Sequence, residues 1–277
     1  ISFYTKVNDA LFDKMVHPTY TYGKNGYVFF KLGEEIVDVE FLDAFCQYLK
    51  QIQDYCEARE VPFIYCFNPS KTTVYNEFLP VGYKYSSDFL NELYADLEKY
   101  EVNYISNVEL LSEKAKTEQV YNVKYDAGHW NDLGQFYGTN HLLSKLSEYF
   151  TAVKPHDFED FNISTKVEMS LPVSEFEINE TVPSFVLKDQ ESVLNITDQY
   201  DWVEVNPQHH FKVVFKNENA DPSLPNVLFF HGSYYNRSQE FYKSSFNETY
   251  VIHNYGNLLN FVYYFDAFKP DCVILET

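Results

Sequence analysis

Val61-Pro62-Phe63-Ile64-Tyr65-Cys66-Phe67-Asn68-Pro69-Ser70 is the stretch from which the fold can be read. Val61 to Phe67 are almost continuously apolar, as in a central strand covered on both faces rather than one face only. Asn68-Pro69-Ser70 then breaks the run. Upstream, Phe41, Leu42, Phe45, Tyr48, Leu49, Ile52 and Tyr55 recur at three- and four-residue steps, which predicts an amphipathic helix from about Val39 to Arg59. Downstream, the loop to Pro80 carries Lys71, Tyr75 and Asn76 past the carboxyl end of the strand, the edge where open α/β sheets place ligands. A helix near Asp88 to Tyr100, a strand near Asn103 to Ser106 and a helix near Leu133 to Phe150 continue the alternation. That rhythm predicts an α/β fold with a mostly parallel sheet.

Before this core, Gly23-Lys24-Asn25-Gly26 signals a turn and Tyr27 to Phe30 a short strand. After it, residues 154–210 show short alternating stretches such as Lys166 to Leu171 and Phe185 to Leu187, read as a β-rich insertion. The α/β pattern resumes with strand Val227 to Phe230, helix Ser238 to Phe246, strand Tyr250 to His253, helix Leu258 to Phe268 and strand Cys272 to Leu275. The expected organisation is therefore one α/β domain in two parts, residues 1–153 and 211–277, interrupted by residues 154–210.

The 277 residues are 45% hydrophobic, enough for one large α/β core. A formal charge of −20 sets nucleic acid aside as a partner, because that interaction needs a Lys/Arg surface. The 25 tyrosines suit a half-wet sugar cleft, although only Arg59 and Arg237 are arginine, and the coding bias this suggests also enriches Tyr. No run reaches the roughly 18 apolar residues that span a bilayer. The chain reads as an excised soluble domain. Cys46, Cys56, Cys66 and Cys272 lack zinc-like spacing and are expected as free thiols, with no metal and no cofactor.

Two loops could carry chemistry. Strand Val227 to Phe230 runs into His231-Gly232-Ser233-Tyr234-Tyr235-Asn236-Arg237, which places Ser233 at a strand-to-helix turn with backbone N–H groups near any oxyanion formed beside it. An ordinary N-cap serine gives the same pattern. In Asp126-Ala127-Gly128-His129-Trp130, a carboxylate and an imidazole three residues apart could supply a general base and its orienting partner.

These segments together resemble the alginate O-acetylation proteins and their SGNH-hydrolase relatives, including the DHHW-type proteins of Gram-positive bacteria. Gly23-Lys24-Asn25-Gly26-Tyr27 is similar to an opening G-K-[DN]-G-[WY] strand, and Asn68-Pro69-Ser70-Lys71 with Tyr75 and Pro80 to a P-x-K followed by a Tyr…Pro loop. Asp126 to Gly134 is similar to D-x-H-W-[TN]-x-x-G, Val227 to Ser233 to a strand ending in G-D-S, and Lys269-Pro270-Asp271 to the turn before a closing strand. The resemblance implies an SGNH-like three-layer α/β/α fold in permuted order. It implies a Ser233, His129, Asp126 triad and O-acetyl transfer or ester hydrolysis on a cell-surface or secreted polysaccharide or oligosaccharide, in an extracytoplasmic, cell-surface or secreted Gram-positive protein with a membrane-bound acetyl-donor protein as partner.

On that reading the oxyanion donors are the Ser233 N–H with Gly232 or Asn236, and Lys71, Tyr75, Trp130 and Arg237 line the cleft. Two departures stand out: Gly232 replaces the aspartate of G-D-S, and two residues rather than one separate Asp126 from His129. A catalytically inactive carbohydrate-binding or scaffold module is the alternative.

Overall fold

The computed structural model describes Leu11 and residues 15–31, 33, 36–188, 191–200, 212–236 and 239–277. Its centre is a sheet of seven strands: β3 (Phe63–Phe67), β4 (Tyr104–Ser106), β7 (Val193–Asn195), β8 (Lys212–Asn217), β9 (Asn226–His231), β10 (Glu248–His253) and β11 (Cys272–Glu276). They lie side by side in the order β4-β3-β11-β9-β10-β8-β7. The run β4, β3, β11, β9, β10 is parallel throughout, and β8 and β7 extend it antiparallel.

The period-two pleat sorts the apolar strands onto two layers. Phe63 and Tyr65, Leu228 and Phe230, Val273 and Leu275 face α1 (Val39–Glu57), α3 (Asp88–Lys99) and α6 (Phe261–Phe268). Ile64 and Cys66, Val227 and Phe229, Cys272 and Ile274 face α4 (Val108–Lys114) and α5 (Asp132–Leu146). The helix α2 (Lys71–Val74) is a single turn shortly after β3. The result is the three-layer α/β/α arrangement that the resemblance implied, around the mostly parallel sheet expected from the alternation. α1 buries Leu42, Cys46, Leu49, Ile52 and Cys56 on one stripe, and the Asp38 side chain caps it by accepting from Phe41 N.

Two antiparallel pairs stand outside the sheet: β1 (Tyr20–Tyr22) with β2 (Val28–Phe30), and the long hairpin β5 (Phe161–Ser170) with β6 (Glu177–Leu187). The hairpin buries Phe161, Phe185 and Leu187 against Phe136 of α5 and Phe241. At its other end Leu171, Phe176 and Ile178 pack with Tyr20, Val28 and Ala127. It thus straddles the loop that carries Asp126 and His129. Residues 154–210 contribute this hairpin and also β7, which lies within the main sheet; residues 201–211 lie outside the described residues.

The helix expected over Ser238 to Phe246 is instead a short 3-10 turn, Gln239–Phe241, followed by turns, with Ser238 outside the described residues. Local and tertiary hydrogen bonds compete with helix here: Ser244 O accepts from the Asn217 side chain, Ser245 Oγ bonds His156, and Phe241, Tyr242 and Phe246 are all buried. The helix expected from Leu258 begins as a 3-10 turn, Leu258–Asn260, and becomes α6. No described helix is long and apolar enough to cross a membrane. All four cysteines are buried free thiols.

Candidate active site

The carboxyl ends of β3, β9 and β11 meet at one edge of the sheet, where β9 passes through Gly232 into a 3-10 turn, Ser233–Tyr235. Ser233 therefore leaves the sheet at the first position of a turn, whose N–H groups have no acceptor within the turn itself. Across from it, the 122–131 loop presents His129. The Nε2 of His129 lies 2.9 Å from Ser233 Oγ, and its Nδ1 lies 2.9 and 3.0 Å from the two carboxylate oxygens of Asp126. An ionised carboxylate can only accept, so Nδ1 carries the hydrogen and Nε2 of the neutral ring accepts from the serine hydroxyl.

Asp126 adopts a left-handed φ of 60°, a conformation that a non-glycine residue holds only when its surroundings over-determine it. Here they do. Asp126 Oδ1 accepts from Gly128 N and His129 N, each at 3.0 Å, so the aspartate caps its own turn while orienting the ring. Burial pushes the Asp126 carboxyl up, but the ring hydrogen bond and charge of His129 and the two backbone N–H groups outweigh it and leave it below the usual carboxylate range.

Another carboxylate and an amine hold this loop from outside. Glu180 of β6 accepts from Val123 N, Lys124 N and Tyr125 N. Lys71, expected in the cleft, is instead fully buried and donates to the carbonyls of Val28, Val123 and Asp126 at 2.8, 2.9 and 3.3 Å. It braces the loop and touches no open surface. Burial drives its amine down to about 7 against the pull of Glu180 and Asp126.

Tyr75 is also withdrawn from the cleft. It is buried, and its hydroxyl donates to Glu118 O and accepts from Val120 N. With its hydroxyl committed to backbone, it shapes the core beneath the loop. Trp130 does line the cleft, and its indole N–H donates to Tyr234 O, next to Ser233. Arg237 lies outside the described residues. Asn236 faces the same cleft with its Oδ1 buried and unpartnered among the described residues. The Gly232 N–H, expected as an oxyanion donor, is engaged by Glu276 Oε2 at 2.6 Å and is not free for that role.

The cleft around Ser233 and His129 holds about 370 Å³, walled by Tyr20, Tyr125 and Trp130 on one side and by Lys166, Pro183 and Phe185 of the hairpin on the other. A larger cavity of about 1070 Å³ shares Tyr234 with it but contains none of Ser233, His129 and Asp126, so the chemistry assigns the site to the smaller one. Nothing in the local pattern singles out Glu180, which lies in an ordinary alternating strand. Glu276 does leave a signal, a lone acid closing the apolar run Cys272 to Leu275.

No family model matches the sequence, and no curated protein matches it either. Solved structures do match. Bacillus cereus PatB1 with a sulfonyl adduct superposes with a TM-score of 0.72 at 14% identity, covering 93% of this chain and 92% of that one. The O-acetyltransferase domain of Pseudomonas putida AlgJ gives a TM-score of 0.60 at 17% identity over 94% and 90%. A DHHW family protein from Eubacterium siraeum gives 0.64 at 15% over 95% and 92%. This chain shares the fold of these structures, the SGNH-like three-layer α/β/α fold that the resemblance implied.

Proposed function

We propose that this chain is a serine-dependent O-acetyltransferase acting on hydroxyl groups of a polysaccharide outside the cytoplasm. The observation that carries the reading is the unbroken hydrogen-bonded line from Asp126 through His129 to Ser233 at the floor of an aromatic cleft. A capping serine needs no base at 2.9 Å and no carboxylate behind that base. The sulfonyl adduct carried by PatB1 and the O-acetyltransferase name of the AlgJ domain support the same direction.

In the proposed reaction His129 Nε2 takes the Ser233 proton as Oγ attacks the carbonyl of an acetyl ester. The oxyanion of the tetrahedral intermediate meets the Ser233 N–H, with the Asn236 side-chain amide, which lines the same cleft, as second donor. The intermediate collapses, the donor oxygen leaves with the proton from His129, and acetyl remains on Ser233. A sugar hydroxyl then gives its proton to His129 and attacks the acyl carbon, and Ser233 recovers its proton as the acetylated sugar leaves. Asp126 keeps the ring in the productive tautomer and stabilises the imidazolium formed twice per cycle. The aromatic lining, in which Tyr125 is only half-buried while Trp130 and Tyr20 show just an edge, suits a sugar. A membrane-bound protein as acetyl donor belongs to the same proposal.

A fluorophosphonate should label Ser233, located by peptide mass spectrometry, and His129→Gln should remove the label. Ser233→Ala should lower turnover of a small acetate ester by about 10³-fold or more. With an oligosaccharide present, acetylated sugar should form; acetate alone would identify a hydrolase instead. Folded protein that neither labels nor turns over the ester would sink the enzymatic reading and leave the cleft as a carbohydrate-binding one.

A further inference from the structure

The nucleophile loop of this chain has a glycine where the resemblance leads one to expect an aspartate, yet the loop is not slack. Gly232 has φ −94° and ψ −154°, extended backbone that any residue can adopt, so conformation does not demand glycine there. Space is what is short. A Cβ added at Gly232 would lie 3.3 Å from Asn254 Nδ2 and 3.5 Å from both the carbonyl oxygen and Oε2 of Glu276. A side chain at residue 232 would meet the Asn254 amide first, and a carboxylate from the neighbouring strand stands beside it at contact distance.

That carboxylate is fully buried at the end of β11, between β3 and β9. Its Oε2 accepts from Gly232 N at 2.6 Å and its Oε1 from Asn68 Nδ2 at 2.9 Å. Asn68 Oδ1 in turn accepts from Asn107 Nδ2, and Asn107 Oδ1 meets His141 Nδ1 at 2.8 Å. The main-chain carbonyl of Glu276 accepts from Asn254 Nδ2. A buried acid is costly unless fully hydrogen-bonded, and a strand end could have closed with a leucine, as the four residues before it suggest. Glu276 commits its lone pairs to the residue immediately before Ser233 and to the first residue after β3. Burial holds its carboxyl up at about 7, against the downward pull of the Asn68 and Gly232 hydrogen bonds and of nearby His129.

We infer that Glu276 is a positioning residue for the nucleophile, supplying from β11 the loop-anchoring group that Gly232 lacks and fixing where Ser233 Oγ stands relative to His129. The inference rests on the reading of Ser233 as nucleophile. Small displacements of an attacking atom are expensive, about 10²-fold in rate for 1 Å.

Three variants test it: Glu276→Gln, which keeps one acceptor for the Gly232 N–H; Glu276→Met, of similar length with none; and Gly232→Asp combined with Glu276→Ala, which moves the carboxylate back to the loop. Each is measured for its rate of fluorophosphonate labelling, for kcat and KM on an acetate ester, and for hydrogen exchange at the position-232 backbone amide by NMR. Glu276→Met should slow labelling and kcat by about 10-fold or more with KM little changed, and should speed exchange of that amide while the β9 amides before it keep their protection. Glu276→Gln should stay within about fivefold of wild type, and the double variant should recover most of the loss in Glu276→Met. Wild-type labelling rates in Glu276→Met would overturn the inference. If wild type itself failed to label, the serine reading would fall, and the position-232 amide would still decide: faster exchange in Glu276→Met sustains the anchor, unchanged exchange removes it.

Discussion

Lys71 shows how a single buried charge can serve a site it never reaches. Its ammonium has three hydrogens and meets three carbonyls, those of Val28, Val123 and Asp126. Replacement by methionine keeps the length and removes all three donors. Leaving buried carbonyls short of partners costs about 1–3 kcal/mol, so Lys71→Met should lower the urea midpoint by an amount in that range divided by the denaturant slope. Because one acceptor is the carbonyl of Asp126, ester turnover should fall as well, although Lys71 lies outside the cleft. Arginine should not rescue, since a guanidinium is larger than the closed space an ammonium occupies here. Sequence motifs single out Lys71 but mislead about its direction: a lysine past a strand end looks like a cleft residue until the carbonyls around it are seen.

At the scale of elements, α5 and the cleft are joined by a close contact. A Cβ on Gly138 would lie 2.4 Å from Trp130 Cζ3, and one on Gly134 would lie 2.3 Å from the carbonyl oxygen of Val120. Alanine at a mid-helix glycine gains up to about 1 kcal/mol of helix propensity, but overpacking a closed core costs about 1–3 kcal/mol. At 2.4 Å the second effect wins. Gly138→Ala should therefore reduce the melting temperature, and by shifting Trp130, whose indole N–H holds Tyr234 O, it should also reduce turnover.

The strands β3, β9 and β11 and the helices α1, α3 and α5 were legible because a buried parallel strand is a run of apolar residues and an amphipathic helix has its own period. The 239–246 segment was not, because its apolar spacing imitates a helix while Ser244 and Ser245 bond to other elements. Strand β8 is hard to read from the sequence for another reason. It pairs with β10 on one side and the short β7 on the other, and its six residues mix Lys212 and Lys216 with valines. Of the candidate site, the loop motifs showed Ser233, His129 and Asp126 as residue types; their convergence is a matter of which strand ends meet, which no local pattern states.

For the whole molecule, two buried groups give opposite pH signatures. Glu276 is held at about 7 against a usual 4.5, so between those values the folded state binds more protons than the unfolded one. Its contribution is fully present below about 4.5 and is lost as pH rises through 7. Lys71 is held at about 7 against 10.5, so from 7 upward the unfolded chain binds more protons and this residue adds stability with rising pH until about 10.5. The stability difference between Glu276→Gln and wild type should slope with pH below 7, and that between Lys71→Met and wild type above it. A difference curve flat across its window would show that the group does not titrate there.

The hairpin of β5 and β6 carries a constraint on how such a cleft can diversify. Pro183 and Lys166 line the cleft, while Glu180, a few residues away on β6, grips three successive amides of the loop that aims His129. One wall of the cleft is thus built into the part that keeps His129 in register. Transplanting the hairpin wholesale from a relative would exchange selectivity and reactivity together, whereas substitutions confined to its ligand-facing side chains, with Glu180 left in place, offer a route by which one could drift while the other is conserved.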